Sequence, residues 1–173
     1  MSLWSTFKES LESIKSPSFS SRLHQKISDN FPNKDDEFHL KAACLSGLMA
    51  RIAYADLKID SSEKETISQS LITWMEMNET EANNLADLCL EEIKDLAGIE
   101  NHLYCLPLRE SLSVMDRYKI IETLFAVAAA DGNVENLEGE EIRNINQGLL
   151  LEHKHFISAR STVLEHLGSL KKD

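Results

Sequence analysis

The sequence contains few of the residues that break helices. Its 173 residues include only 6 glycines and 3 prolines, too few for a β-fold with many tight turns. No segment alternates β-branched and polar residues over the length of a strand. These absences favour an all-α fold in which helices are joined by short connections.

Cysteines and long apolar runs are also scarce. Cys44, Cys89 and Cys105 are far apart and include no CxxC pair, which argues against a disulfide framework or a zinc knuckle. Each lies in an apolar helical context, so we interpret all three as buried core residues. No apolar run approaches 18 residues, so no membrane span is predicted. The N-terminus lacks the features of a signal peptide, and we therefore expect a cytoplasmic protein.

The charge balance is strongly acidic, with a net charge of −11. Residues 1–28 contain four Lys or Arg residues and two Glu residues, so their net charge is +2. The net charge of the remaining residues is therefore −13. A body of that charge repels phosphate backbones, so nucleic-acid binding is not expected. It attracts cations or the basic surface of a partner protein.

Apolar periodicity divides the chain into two regions. Residues 1–37 contain an amphipathic helix over 3–14 and then a polar linker with one turn around residues 22–27. Over residues 38–173, apolar residues recur every three or four positions, which predicts a compact bundle of about seven to eight helices. Pro107 predicts that the helix around residues 99–112 starts, ends or kinks there.

The N-terminal helix has two interpretations. As a membrane-peripheral adaptor, the protein would insert Trp4 and Phe7 of segment 3–14 into a membrane surface and hold Lys8 and Lys15 near the headgroups. The segment's charge is nearly balanced, however, so we favour its docking onto the acidic body or flexing in solution.

An internal repeat is the most informative feature of the chain. Residues 45–67 align with residues 120–142 without a gap, at an offset of 75 residues. Of the 23 aligned positions, six are identical and five are conservatively replaced. Helical composition alone does not account for this number of matches. The repeat predicts two equivalent units, each a helix, an acidic loop and a second helix.

The loops contain recognisable helix-capping residues. Asp60 is a suitable N-cap, and Glu63 at the third helical position completes a capping box. Gly132 can adopt the left-handed conformation that ends a helix. The matching residue in the first loop is Leu57, which adopts that conformation less easily, so the two helix ends are expected to differ.

Two segments resemble a known family. The residues AYADLKIDSSE at 53–63 and AAADGNVENLE at 128–138 both resemble the A-x-A-D-G-x-(I/V)-(D/S)-x-x-E signature of the TerB-like (tellurite-resistance B) family. The segment HKHFISAR at 153–160 is similar to the end of bacterial TerB-like proteins. The resemblance covers about residues 38–165. The chain departs from the family pattern at Leu57, Glu135 and Pro107.

The resemblance implies an all-helical domain without enzymatic activity. TerB-like domains are linked to tellurite-resistance and stress-response loci, and a similar domain occurs in membrane-tethered DnaJ-like co-chaperones. The resemblance also implies that the acidic loops bind metal ions or partner proteins.

The candidate site consists of the carboxylates that the repeat places at equivalent loop positions. They supply the hard oxygen ligands that Ca²⁺ or Mg²⁺ prefers, and the two loops could converge if a pseudo-two-fold axis relates the repeats. Their spacing is not that of an EF-hand, and capping explains Asp60 and Glu63 without an ion. The six residues are Asp56, Asp60, Glu63, Asp131, Glu135 and Glu138.

Two further kinds of site are alternatives to this one. A metal-dependent hydrolase using the same carboxylates predicts a deep cleft between the loops, lined by carboxylates with perturbed pKa values; a flat acidic face would argue against it. His153 and His155 are two residues apart and point to different sides of a helix, so we expect a capping or surface role. No catalytic residue or bound cofactor is predicted, and a divalent cation is the one ligand considered.

Overall fold

The computed structural model describes residues 21–96 and 101–170, together with Glu9, Glu12 and Ile14. Within these residues the chain forms eight helices and no strand, which confirms the all-α prediction. No helix in this part of the chain has the length and apolar character needed to cross a membrane. The helices are α1 (Arg22–Asn30), α2 (Asp36–Ala53), α3 (Ser61–Met75), α4 (Glu79–Leu96), α5 (Asn101–Ser111), α6 (Val114–Ala128), α7 (Asn136–Gly148) and α8 (His153–Leu170).

Helix α2 lies at the centre of the bundle. It contacts α1 and each of the helices α3–α7, and 13 of its 18 residues are buried. The sequence explains this burial, because residues 42–50 are all small or apolar. Gly47 allows close approach to α5: a Cβ atom there would lie 3.0 Å from the ring of Tyr104. All three cysteines are buried as predicted, and burial raises the pKa of Cys89 and of Cys105 to about 12.

Helix α1 corrects the prediction of a polar linker over this part of the chain. Residues 22–30 form a nine-residue helix that begins after Ser21, whose hydroxyl accepts the amide of His24 at 3.0 Å. Leu23 and Ile27 are buried in the core, and the guanidinium of Arg22 pairs with Glu92 of α4 at 2.9 Å. Two buried residues one turn apart are too short a pattern to stand out in the sequence.

The predicted N-terminal amphipathic helix lies mostly outside the described residues. Of segment 3–14, the structure describes Glu9, Glu12 and Ile14. Ile14 is fully buried and belongs to the core cluster, so the end of this segment packs on the helical body.

Pro107 lies inside α5, which neither starts nor ends there. A proline removes one backbone hydrogen bond from a helix interior. Here the helix continues because its buried residues, among them Cys105 and Leu108, pack it against α2 and α7.

The two loops of the repeat end their preceding helices in the same way. Leu57 has φ = 66° and Gly132 has φ = 94°, so both adopt the left-handed conformation. The amide of Leu57 donates to the carbonyl of Tyr54 at 3.0 Å, and that of Gly132 donates to Ala129 at 2.9 Å. The expectation that the two helix ends differ is therefore wrong. The loop geometry imposes a strained backbone on Leu57, at a cost of about 1–2 kcal/mol.

We expect Leu57→Gly to stabilise the protein by about 0.5–1 kcal/mol. Glycine removes the left-handed strain, and little burial is lost because Leu57 is 70% exposed. Urea unfolding monitored by circular dichroism would measure the change in the free energy of unfolding.

Gly132→Ala is the matched control and is expected to destabilise by about 1 kcal/mol. A Cβ atom at position 132 meets nothing within 4 Å, so the loss comes from the backbone alone. An unchanged or lowered stability of Leu57→Gly would contradict the assignment of strain to residue 57.

Candidate functional site in an acidic pocket

The two loops of the repeat lie next to each other and enclose a pocket of about 260 Å³. The structure thus brings together all the carboxylates that the sequence singles out. Two further residues line the pocket, Lys58 and Ile59; sequence reasoning did not assign Lys58 to the site, although it lies between two of the predicted carboxylates. The six carboxylates in the lining are Asp56, Asp60, Glu63, Asp131, Glu135 and Glu138.

The position of the loops follows from the packing of α2 against α6. These helices end in the buried small residues Ala53 and Ala128, which allow close approach. Each helix leads directly into one of the acidic loops. The loops therefore meet at one end of the bundle.

Each loop holds its first aspartate by the same hydrogen bond. Oδ1 of Asp56 accepts the amide of Lys58 at 2.8 Å, and Oδ1 of Asp131 accepts the amide of Asn133 at 2.9 Å. Such side chain–backbone bonds stabilise the turn locally. They also fix the position of both carboxylates within the lining of the pocket.

Two glutamates occupy equivalent positions at the starts of α3 and α7. Oε2 of Glu63 accepts the amide of Asp60, and Oε2 of Glu138 accepts the amide of Glu135, both at 2.7 Å. Asp60 in turn accepts the amide of Ser62 at 2.8 Å, so the capping box predicted from the sequence is confirmed.

These glutamates are buried and bonded to each other. Glu63 is 5% exposed and Glu138 is 6% exposed, and their side chains share a hydrogen bond. A bond between two carboxyl groups requires a proton, so the pair carries less than its full negative charge.

Burial is the main cause of the perturbed pKa values at the base of the pocket. Together with the charges of Glu63 and Asp131, and against the opposing amide of Glu135, burial raises the pKa of Glu138 to about 8. Burial also raises the pKa of Glu63. By contrast, hydrogen bonds from Ser62 lower the pKa of the exposed Asp60.

The acidic surface is therefore a pocket with protonatable groups, and not a flat solvated face. The perturbed pKa values of Glu63 and Glu138 are a feature that the hydrolase hypothesis predicts, and the carboxylate lining equally suits a cation-binding site. Within residues 21–96 and 101–170, no three His, Cys, Asp or Glu side chains are already grouped so as to hold a metal ion. A bound cation would therefore require some of these carboxylates to rotate.

The histidines near residue 153 lie away from this pocket's lining. Nδ1 of His155 accepts the amide of Glu152 at 3.2 Å, which confirms the predicted capping role at the start of α8. His153 stacks on Phe156 with ring centroids 5.8 Å apart.

The raised pKa of Glu138 predicts that stability falls as the pH rises. In the folded protein this carboxyl keeps its proton up to about pH 8, whereas its ordinary pKa is 4.5. Its contribution is therefore fully present below about pH 4.5 and is lost as the pH rises through 8. We expect wild-type stability to fall by roughly 1–3 kcal/mol over this interval.

Glu138→Gln stays neutral at every pH and should show a flatter pH profile. Urea unfolding from pH 5 to 9 in the presence of a chelator would measure both proteins. Glu110→Gln, at an exposed position of α5, serves as the control and should follow the wild-type curve. Parallel curves for wild type and Glu138→Gln would refute the assigned role of this carboxyl.

Comparison with known proteins assigns the family. The family model described as "Tellurite resistance protein TerB" matches residues 41–161. No curated protein and no solved structure matches the chain. The matched range contains both acidic loops and all six carboxylates of the pocket. The chain belongs to the TerB family.

Proposed function

We propose that this TerB-family domain is a non-enzymatic module that binds a divalent cation in the acidic pocket. One observation carries the proposal: two loops separated by 75 residues in sequence direct six carboxylates into a single pocket. Concentrating like charges in this way is unfavourable unless a positive charge compensates them.

The chemistry of the lining suits a hard cation. Ca²⁺ and Mg²⁺ prefer carboxylate oxygens, and six carboxylates line the pocket. In four of these residues, one carboxylate oxygen accepts a hydrogen bond from a backbone amide: Asp56, Asp131, Glu63 and Glu138. The second oxygen of each would coordinate the cation while the first keeps its bond to the backbone amide.

The buried glutamate pair provides a further reason to expect a cation. The side chains of Glu63 and Glu138 share a hydrogen bond, which requires a proton on one of them. A divalent ion at the same place would offset their mutual repulsion more effectively and would release that proton. Cation binding would in this way remove an electrostatic cost that the protein carries in its absence.

We expect Ca²⁺, Mg²⁺ or Mn²⁺ to bind the wild-type protein, as measured by isothermal titration calorimetry at low ionic strength. The double variant Asp56→Ala/Asp131→Ala removes one equivalent carboxylate from each loop. It should weaken binding by at least about tenfold, because two of the negative charges around the ion are lost.

A matched control separates the pocket from net charge. Glu79→Ala/Glu110→Ala removes two exposed carboxylates from α4 and α5, outside the lining of the pocket, and should bind as the wild type does. The absence of binding heat with all three ions, or equal losses in the two double variants, would overturn the cation proposal.

A basic partner protein is the second candidate for this surface. Leu57 is 70% exposed and Leu137 is 58% exposed, and each is adjacent in sequence to a carboxylate of the pocket. Exposed apolar residues beside a charged surface are a feature of protein interfaces. A partner of matching chemistry would present Lys or Arg with apolar neighbours.

The partner candidate predicts that Leu57→Ser/Leu137→Ser loses proteins that the wild type retains in a pull-down from native lysate. Retention should also weaken with salt, because the contact is partly electrostatic. Ile157→Ser/Leu164→Ser, which changes two exposed apolar residues of α8, is the control. If both double variants retain the same proteins as the wild type, this surface is excluded as the partner site.

The alternative of a metal-dependent hydrolase uses the same carboxylates. The raised pKa of Glu138 suits a general acid. We favour binding over catalysis because Glu63 and Glu138 each cap a helix, which ties both side chains to the fold. A link of this chain to tellurite resistance and a cytoplasmic location are part of the same proposal, and the first is supported by the family description.

A further inference from the structure

Lys58 is the one basic side chain among the residues that line the acidic pocket. Its backbone amide is bonded to Asp56, so the start of the side chain is held in the loop. The residue is exposed, and within the described part of the chain its ammonium forms no ion pair. The long, flexible lysine stem allows this ammonium to approach the carboxylates from solvent.

The second loop shows that the lysine is not needed for loop geometry. Asn133 occupies the equivalent position, and its amide makes the same bond to Asp131 that Lys58 makes to Asp56. The two loops thus share one backbone arrangement, but only one of them brings a positive charge to the pocket.

We propose that Lys58 is the pocket's own counter-cation and competes there with a divalent ion. The inference rests on the proposed function and adds a residue that sets the affinity of the site. A positive charge in the lining of the pocket lowers the negative potential that attracts an ion. A bound ion must displace or repel the ammonium, so Lys58 weakens cation binding.

Three variants isolate the charge of Lys58. Lys58→Asn introduces the residue of the second loop, and Lys58→Arg keeps the charge. Lys154→Asn removes the same charge from an exposed site, where Lys154 pairs with Glu152 at 3.0 Å.

Position 154 is remote from the pocket. It adjoins His155, which contacts Tyr118 near the start of α6. The pocket lies beyond the other end of this 15-residue helix, which is about 22 Å long.

Calorimetric titration with Ca²⁺ and Mg²⁺ at low salt gives the first readout. We expect Lys58→Asn to tighten binding by about three- to tenfold, and Lys58→Arg and Lys154→Asn to stay within about twofold of wild type. The difference should shrink in 0.5 M salt, where charges at this range are screened, as expected from a Debye length of roughly 4 Å. The competition would be overturned if the wild type binds either ion but Lys58→Asn binds it no more tightly than Lys154→Asn does.

Thermal unfolding in chelator gives a second readout that needs no bound ion. Without its counter-cation the pocket is less stable, so Lys58→Asn should melt about 1–3 °C lower than Lys154→Asn at low salt, and the gap should close at high salt. Equal melting temperatures would overturn the inference whatever the cation result. If the melting temperatures differ but no variant binds a cation, the proposed function is overturned. The role of Lys58 as the counter-cation of the pocket would then still hold.

Discussion

The packing of α2 against α6 is the constraint on which the acidic pocket depends. Both helices end in buried alanines, Ala53 and Ala128, and each is followed within eight residues by the start of another helix. The short loops cannot diverge far, so the carboxylates that they contain, and those that begin the next helices, are brought to one place. The site is a direct result of joining two acidic loops to two helices that lie side by side.

This arrangement has an electrostatic cost, and the structure shows how the protein limits it. Backbone amides at the starts of α3 and α7 donate to Glu63 and Glu138, and a hydrogen bond joins the two carboxyl groups. Lys58 adds a positive charge at the pocket. Each device offsets part of the repulsion between the carboxylates. Natural proteins often retain such locally unfavourable groups where binding requires them.

Local sequence patterns predicted much of the fold and part of the site. The helices from residue 38 onward follow from apolar periodicity, and the Asp60–Glu63 capping box follows from residues three apart. The predictions that were wrong concern features that distant contacts decide. Leu57 adopts a left-handed backbone because the loop joins two packed helices, and the helix over residues 22–30 forms because Leu23 and Ile27 find a core to pack against. Propensity alone is a weak guide where tertiary contacts oppose it.

The sequence by itself determined the all-helical class, the likeness of the two acidic loop segments and the family to which they point. These properties depend on residues close together in the chain, or on likeness between two segments, and neither requires knowledge of distances in space. Only the tertiary structure decided that the six carboxylates share a pocket, that Glu63 and Glu138 are buried and bonded to each other, and that Lys58 belongs to the same lining. Burial and charge–charge distance depend on how segments 75 residues apart are packed, and those two quantities set the protonation of the site.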